Sequence, residues 1–354
     1  MTMHNRDRRF FTSLILPALA SAILFPAALL CRAGAPAGQS RADSQPATGP
    51  MALGSVKTFM YQLQNIEDPA ALDALAKSNY DLLVVEPTAL VTGNAGFDMK
   101  AMLAKLRAGK PDRIILAYLD ACQAESFRTY WQKSWKAPTK TAKGVPDFIL
   151  TPDPDGWSDD YTVAYWDPRW QAIFATDKDA QVHQVMNAGF DGVYLDWIDA
   201  WDFDTAVAEA RRQKVDPAKA MVDFLLLIRK EARAINPRAL VIQQNAFTLI
   251  DADPRLKDAI DGMGVEDTWY SGKSDATWTS KTAGDVPNKD RGESSTAARL
   301  VQYQKFLAAG KPVFTIDYCL DTAHAAGVYA EARKHGLVPL VTRVTLDHLT
   351  TTPP

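Results

Sequence analysis

The residues best suited to chemistry lie in the stretch GFDGVYLDWIDAW at positions 189–201. A short apolar run, residues 193–195, leads directly into Asp196, and Asp199 follows three residues later. A continuous apolar run of this length is typical of a strand that is covered on both faces. Asp196 is therefore expected at the C-terminal end of a buried strand, and it is the first candidate for a catalytic carboxylate.

Acidic residues end several other apolar runs in the same way. They are Glu86, Asp120, Glu266 and Asp317. Carboxylates held close together resist joint ionisation, so their pKa values are forced apart. One acid is then protonated while another is anionic, which is the division that cleavage of a glycosidic bond requires. Two structural alternatives stay open: Asp199 as a helix cap, and Asp317 as a hydrogen-bond bracket between strand ends.

Tryptophans accompany these acids, at positions 166, 197, 201 and 269. Their flat rings can stack on the apolar faces of sugars while carboxylates bind hydroxyl or amine groups. No CxxC or HExxH motif predicts a metal site, and we expect neither a metal nor a cofactor. Acids and aromatic rings together predict carbohydrate chemistry.

The elements that position these residues alternate along the chain. Apolar runs predict strands at 58–62, 82–86, 114–119, 192–195, 241–244, 262–266, 313–318 and 338–341. Helical patterns lie between them, at 69–77, 99–108, 170–188, 206–235, 295–309 and 323–335. This α/β pattern predicts a single (β/α)8 TIM barrel over residues 55–349, followed by a C-terminal tail at 350–354. A doubly wound sheet is the alternative, but no GxGxxG follows the first strand.

Two long polar segments, 136–162 and 271–293, interrupt the alternation after the third and sixth predicted strands. Segments that follow strands lie on the C-terminal face of a barrel, where barrel active sites are found. We therefore expect long loops around the acidic strand ends.

The N-terminus is a separate object. Residues 1–37 combine a basic start, an apolar run and small residues, which predicts a secretory signal peptide. The pair Arg8-Arg9 resembles a twin-arginine signal, whereas Cys31 offers the alternative of a lipid anchor. Residues 38–54 are rich in Gly, Ser, Ala and Pro, which predicts a flexible linker. We expect a secreted or periplasmic protein that meets a membrane only through this segment.

Charge narrows the choice of partner. The formal net charge is −3, and removal of residues 1–37 would take away four arginines and one aspartate. An acidic mature chain argues against nucleic acid as the partner and favours a neutral or cationic one. We expect a monomer that binds a polysaccharide. Cys122 and Cys319 fall on well-separated strands, which favours free thiols.

The motif GFDGVYLD, with YTVAYWDPRWQ at 161–171, resembles glycoside hydrolase family 114, the endo-α-1,4-polygalactosaminidases. Further support comes from MYQLQ (60–64), AYLDACQAESFRTYW (117–131), VIQQNA (241–246), GVEDTWY (264–270) and TIDYC (315–319). The resemblance covers about residues 55–345. It implies an exported, endo-acting hydrolase of galactosamine-containing polysaccharide with α-1,4 linkages.

By resemblance, Asp196 is the nucleophile and Glu266 the general acid/base of a retaining reaction. The residues predicted to bind substrate, from the strand ends, the nearby tryptophans and the matching motifs, are Tyr61, Glu86, Tyr118, Asp120, Glu125, Arg128, Trp166, Trp197, Asp199, Gln244, Asn245, Trp269, Tyr270, Asp317 and Tyr318. One departure concerns residues 118–123, where the family shows YLSIGE and this chain has YLDACQ. The departure leaves the exact sugar open.

Two other functions stay open at the level of sequence. One is a non-catalytic carbohydrate-binding barrel that serves polymer export or attachment to a matrix. The other is a barrel hydrolase that acts on a neutral α-galactoside. The separation of the two carboxylates distinguishes retention from inversion, and the sequence does not give it.

Overall fold

The structure, a computed structural model, describes residues 52–274 and 276–353. The predicted signal peptide at 1–37, Cys31 and the predicted linker up to residue 51 lie outside the described residues. The linker's last residues begin a short 3-10 turn, Leu53–Ser55. Within the described ranges, no helix is long and apolar enough to cross a membrane.

Eight parallel strands form one sheet that is nearly closed into a barrel, which confirms the predicted fold class. In chain order they are β1 Phe59–Gln62, β2 Leu82–Val85, β3 Ile114–Asp120, β4 Gly192–Asp196, β5 Leu240–Gln244, β6 Gly262–Glu266, β7 Val313–Tyr318 and β8 Val338–Thr342. Each strand pairs with the next one in the sequence. Just beyond β1, the backbone amides of Leu63 and Gln64 donate to the Leu346 carbonyl, 2.8 and 3.1 Å away. These bonds tie the first strand to the chain that follows the last one.

The strands are apolar on both faces because helices cover the outside and side chains fill the inside. Two glycines allow close approaches within this core. A Cβ at Gly192 would lie 2.1 Å from the backbone of Leu240 on the neighbouring strand. A Cβ at Gly264 would lie 1.9 Å from the hydroxyl of Tyr194. Gly264 therefore makes room for a tyrosine ring directly beneath the C-terminal end of β6.

Helices connect the strands. Those of eight residues or more are α1 Pro69–Lys77, α2 Met99–Ala108, α3 Gln181–Ala188, α4 Asp204–Arg212, α5 Pro217–Ile235, α6 Thr296–Ala308 and α7 Thr322–Lys334. Asp68 and Asp216 cap two of them by accepting from the amides of Ala70 and Lys219. Each of these aspartates precedes a proline, which needs no amide partner in the first helical turn.

The helix predicted at 170–188 is interrupted. Pro168–Gln171 is helical, Ala172–Thr176 forms a π-helical turn, and Asp177 is extended before α3 begins. The predicted helix 206–235 is likewise two helices, because Asp216 and Pro217 start a new one. No long helix follows β5; two short ones, Leu249–Ala252 and Leu256–Ala259, do.

The described part of the chain has no helix after β8. Residues of the predicted tail pack against this strand instead. The Thr350 hydroxyl donates to the Val341 carbonyl at 2.5 Å, and the Tyr329 hydroxyl donates to the Thr352 carbonyl at 2.6 Å. The eighth unit is therefore covered by α7 and by an extended segment.

Two insertions leave from strand ends on the C-terminal face, as the long polar segments predicted. After β3, a small antiparallel sheet is formed by Gln123–Glu125, Asp160–Val163 and Ile149–Pro152, in that spatial order. After β6, Tyr270–Ser271 pairs with Val286–Pro287. Both insertions are connected to the strand ends that carry the candidate carboxylates.

Candidate active site

Asp196 ends β4 and is only partly accessible to solvent. The Tyr118 hydroxyl donates to its Oδ2 at 2.7 Å, and the Trp197 backbone amide donates to its Oδ1 at 2.6 Å. Trp197 has a positive φ of 61°, a left-handed conformation that non-glycine residues rarely adopt. Burial raises the pKa of Asp196 to about 6, while the two hydrogen bonds oppose the rise.

Glu266 ends β6, two strands away at the same face of the barrel. The Gln244 Nε2 donates to its Oε2 at 2.6 Å, and the Tyr318 hydroxyl donates to its Oε1. Burial and the negative charge of Asp196 raise the pKa of Glu266 to about 8. Glu266 therefore keeps its proton to a higher pH than Asp196 does.

Aromatic and amide side chains connect the two carboxyl groups across the barrel. The ring centroids of Tyr61 and Tyr118 are 6.1 Å apart, and the Tyr118 hydroxyl bonds Asp196. The Tyr61 hydroxyl donates to Gln244 Oε1 at 3.1 Å, and Gln244 in turn bonds Glu266. Tyr61 and Gln244 are buried below the opening at the C-terminal end of the barrel, which is called the mouth here. From that position they fix the geometry of Asp196 and Glu266.

Two more aspartates stand beside Asp196. Asp120 is its partner in register on β3, is buried, and accepts from the amides of Cys122 and Gln123 at 3.1 and 2.9 Å. Burial and the charge of Asp196 raise the pKa of Asp120 well above its ordinary value. Asp199 is exposed to solvent on one side, but many protein atoms surround its carboxyl group on the other. This crowding and the charge of Asp196 raise its pKa to about 7.

A buried ion cluster near the ends of β2 and β3 consists of Glu86, Arg128 and Glu125. Arg128 donates through Nε and Nη2 to Glu125, at 2.6 and 2.8 Å, and both of its terminal nitrogens bond Glu86. Its side chain is 1% exposed and that of Glu125 is 6% exposed. The guanidinium and the two carboxyl groups therefore provide hydrogen-bond partners for one another.

Asp317 is fully buried on β7. Its Oδ1 accepts from the backbone amides of Trp269 and Tyr270, at 2.6 and 2.8 Å. Burial raises the pKa of Asp317 to about 7, against the pull of these two bonds. This is the bracket arrangement: Asp317 holds the loop after β6, while the next residue, Tyr318, bonds Glu266.

The other predicted contacts have distinct surroundings. The Asn245 Oδ1 accepts from the backbone amide of Glu266 at 3.1 Å, which anchors the end of β6. The Trp197 ring meets Phe203 edge to face at 5.6 Å. The Trp166 Nε1 donates to the Gln213 Oε1 at 2.9 Å, which attaches this ring to the residue that follows α4.

Three site features escaped sequence reasoning. The buried Tyr194 hydroxyl lies beneath Glu266 with no hydrogen-bond partner. The Gln123 Nε2 donates to the buried Asp153 at 2.7 Å, which links the β3 end to the insertion. The His324 ring, on the surface of α7, stacks on Tyr270 with ring centroids 4.7 Å apart. Tyr194 is part of GFDGVYLD, but only the barrel's pleat shows that it points inward.

Cys122 and Cys319 are both buried and are not paired in a disulfide. Among residues 52–274 and 276–353, no group of three or more His, Cys, Asp or Glu side chains has an arrangement that could hold a metal ion. The site that the structure presents is an acidic, tyrosine-lined opening in which the pKa of Glu266 lies above that of Asp196.

Comparison with known proteins agrees with this geometry. The model of glycoside-hydrolase family GH114 matches residues 37–353. The chain belongs to glycoside-hydrolase family GH114. It is thus a glycoside hydrolase, and the GH114 match extends over the whole barrel and both insertions.

Two relatives of this GH114 chain come from different organisms. An uncharacterized protein of Deinococcus radiodurans is 35% identical over 298 residues, which cover 84% of each chain. An uncharacterized protein of Thermotoga maritima is 27% identical over 297 residues, covering 82% of this chain and 81% of the relative.

Solved structures share the fold at low sequence identity. The glycoside hydrolase domain of PelA from Pseudomonas aeruginosa has a TM-score of 0.58 at 17% identity, covering 84% of this chain and 98% of that domain. Ega3 of Aspergillus fumigatus, in complex with galactosamine, has a TM-score of 0.55 at 15% identity and covers 87% and 97%. Both support the barrel architecture.

Proposed function

We propose that this GH114 enzyme is an exported, endo-acting hydrolase of polysaccharide that contains α-1,4-linked galactosamine or N-acetylgalactosamine. The observation that carries the proposal is the pair Asp196 and Glu266. They stand at the ends of β4 and β6 on one face of the barrel, with pKa values of about 6 and about 8. Such a split lets one fold supply a nucleophile and an acid at the same pH.

In the proposed retaining reaction, the Asp196 carboxylate attacks the anomeric carbon while Glu266 gives its proton to the glycosidic oxygen. The C–O bond to the leaving chain breaks, and a glycosyl ester on Asp196 results. Glu266, now anionic, then takes a proton from water, whose oxygen displaces Asp196 and releases the sugar. Tyr118, Gln244 and Tyr318 orient the two acids through the hydrogen bonds described above.

The choice of an amino-sugar polymer has two supports. The mouth holds Asp120, Asp196 and Asp199 in close succession, and a positive amine bound beside them would stabilise their ionised forms and lower their raised pKa values. The similar Ega3 structure contains galactosamine. Asp199 and Trp197 are the accessible groups of this mouth that we assign to substrate contact.

Export is the remaining part of the proposal. It is supported by the basic start, apolar run and small residues of segment 1–37, and we propose that the mature enzyme acts as a monomer outside the cytoplasm.

The test is hydrolysis of a partly deacetylated galactosamine polymer, with oligomers detected by mass spectrometry. Asp196→Asn and Glu266→Gln should each lower the rate by about 10²–10⁴-fold, because each removes a reacting group. Both variants keep the size of the side chain, so their circular dichroism and melting should match the wild type. Wild-type activity in either variant would remove the proposed mechanism.

A further inference from the structure

A small cleft lies on the flank of the barrel, between the loop after β6 and helix α7. Its volume is about 210 Å³, and its walls include Trp269, Tyr270, His324, Gly327 and Glu331. Pockets for drug-sized ligands measure roughly 300–1,000 Å³. The cleft is therefore suited to a single ring.

The aromatic wall of the cleft is preformed. Asp317 holds the backbone amides of Trp269 and Tyr270. The Tyr270 ring stacks on the His324 ring, with centroids 4.7 Å apart and planes 23° apart. His324 is held in turn by Asp285, whose Oδ1 lies 2.9 Å from Nδ1. Binding would therefore cost little ordering of these side chains.

The opposite wall contains a glycine that the fold itself does not require. Gly327 lies in the interior of α7, where glycine weakens a helix relative to alanine. It has no positive φ, and apart from its chain neighbours and the backbone of its own helix no atom lies within 4 Å of the place where a Cβ would stand. Glycine also serves where a ligand approaches a backbone closely. A bare helix surface facing two aromatic residues fits that use.

We propose that this cleft is a second carbohydrate site, which holds one hexosamine unit of the polymer outside the barrel mouth. The apolar face of the sugar would lie against the Trp269 and Tyr270 rings, and its hydroxyl or amine groups would face His324 and Glu331. An amphipathic ring of this kind suits aromatic walls with polar groups at their edge.

The cleft is tied to the active site through β7, because Asp317 holds its wall and the adjacent Tyr318 bonds Glu266. A long polymer can occupy both sites at once, which raises its apparent affinity, whereas a short oligomer cannot. This inference rests on the proposed substrate class.

The experiment compares Gly327→Gln with Gly327→Ala, its matched control, in the full chain. Both variants remove the helix-interior glycine, so neither should melt below the wild type. The glutamine side chain extends into the cleft, while the alanine methyl group leaves most of it open. KM and kcat are measured on a long galactosamine polymer and on a galactosamine tetramer.

We expect Gly327→Gln to raise KM for the polymer about three- to tenfold and to leave the tetramer constants at the wild-type values. Equal polymer KM values for the glutamine and alanine variants would overturn the inference.

A hydrolysis-independent arm separates this inference from the proposed function. Binding of the same polymer is measured in the Glu266→Gln background, with and without Gly327→Gln. Weaker binding with Gly327→Gln supports the cleft even if the wild type cleaves nothing, in which case only the proposed function fails. Unchanged binding counts against the cleft whether or not the wild type cleaves the polymer.

Discussion

Two pairs of carboxyl groups on the same face of the barrel differ in the charge of the groups that donate hydrogen bonds to them. Glu86 and Glu125 surround a buried arginine, Arg128, and all four of their carboxyl oxygens bond its guanidinium. Asp196 and Glu266 have only neutral donors: a phenol and a backbone amide for one, a phenol and a side-chain amide for the other.

The same face of the barrel therefore carries carboxyl groups with a structural role and carboxyl groups that are available for a reaction. A guanidinium keeps its charge at every relevant pH, so the carboxyl oxygens that bond it are occupied and are not available to a substrate. Phenols and amides orient a carboxyl group without supplying charge. Burial then raises the pKa of Asp196 to about 6 and that of Glu266 to about 8, within the range where protons are exchanged near neutrality.

The largest effect that this comparison predicts is on stability. Arg128→Leu should lower the free energy of unfolding by about 3–5 kcal/mol, because it leaves two buried carboxylates unpaired. Arg169→Leu is the control: Arg169 also bonds two carboxylates, Asp147 and Asp167, but is 53% exposed. It should cost about 1 kcal/mol or less. Urea denaturation measures both, and equal losses would erase the distinction between the two ion clusters.

The next effect concerns the acidic limb of the pH–rate profile, which follows ionisation of Asp196. Tyr118→Phe removes a hydrogen bond that stabilises the anion, so the pKa of Asp196 should rise. The acidic limb of kcat/KM should then move up by about half to one pH unit. Tyr165→Phe is the control, since the Tyr165 hydroxyl bonds the Pro217 carbonyl instead. A limb that stays in place in Tyr118→Phe would disconnect this phenol from the reaction.

The smallest effect concerns the basic limb, which follows loss of the proton from Glu266. Tyr318→Phe removes a hydrogen bond to the carboxyl group, and the pKa of Glu266 should rise further. The phenol also accepts hydrogen bonds, so it assists both forms, and the basic limb should move up by only about half a pH unit or less. The acidic limb serves as the internal reference. Movement of the basic limb toward lower pH would contradict this role for Tyr318.

The sequence predicted the strands to within a residue or two because each is an apolar run covered on both faces. It predicted the C-terminal face for Asp196 and Glu266 because both follow such runs. The break in the helix predicted at 170–188 was missed, since its apolar pattern continues through the π-helical turn at Ala172–Thr176.

The partners of the acids could not be read from the sequence. Arg128 and Glu125 are three residues apart and suggest a local pair, but Glu86 comes from another strand end. Gln244 and Tyr318 reach Glu266 from the strands on either side of it. The sequence predicted substrate contact for Glu86, Glu125, Arg128, Gln244 and Tyr318. The fold shows which of them bond one another, and only that separates an occupied carboxylate from an available one.

The central claim is that Asp196 and Glu266 differ in protonation at neutral pH. It is tested most directly by infrared difference spectroscopy of carboxyl groups during a pH titration, with Asp196→Asn and Glu266→Gln to assign the bands. The account predicts that the band lost in Asp196→Asn titrates near pH 6 and that the band lost in Glu266→Gln titrates near pH 8. Ionisation of both groups below pH 5 would contradict it.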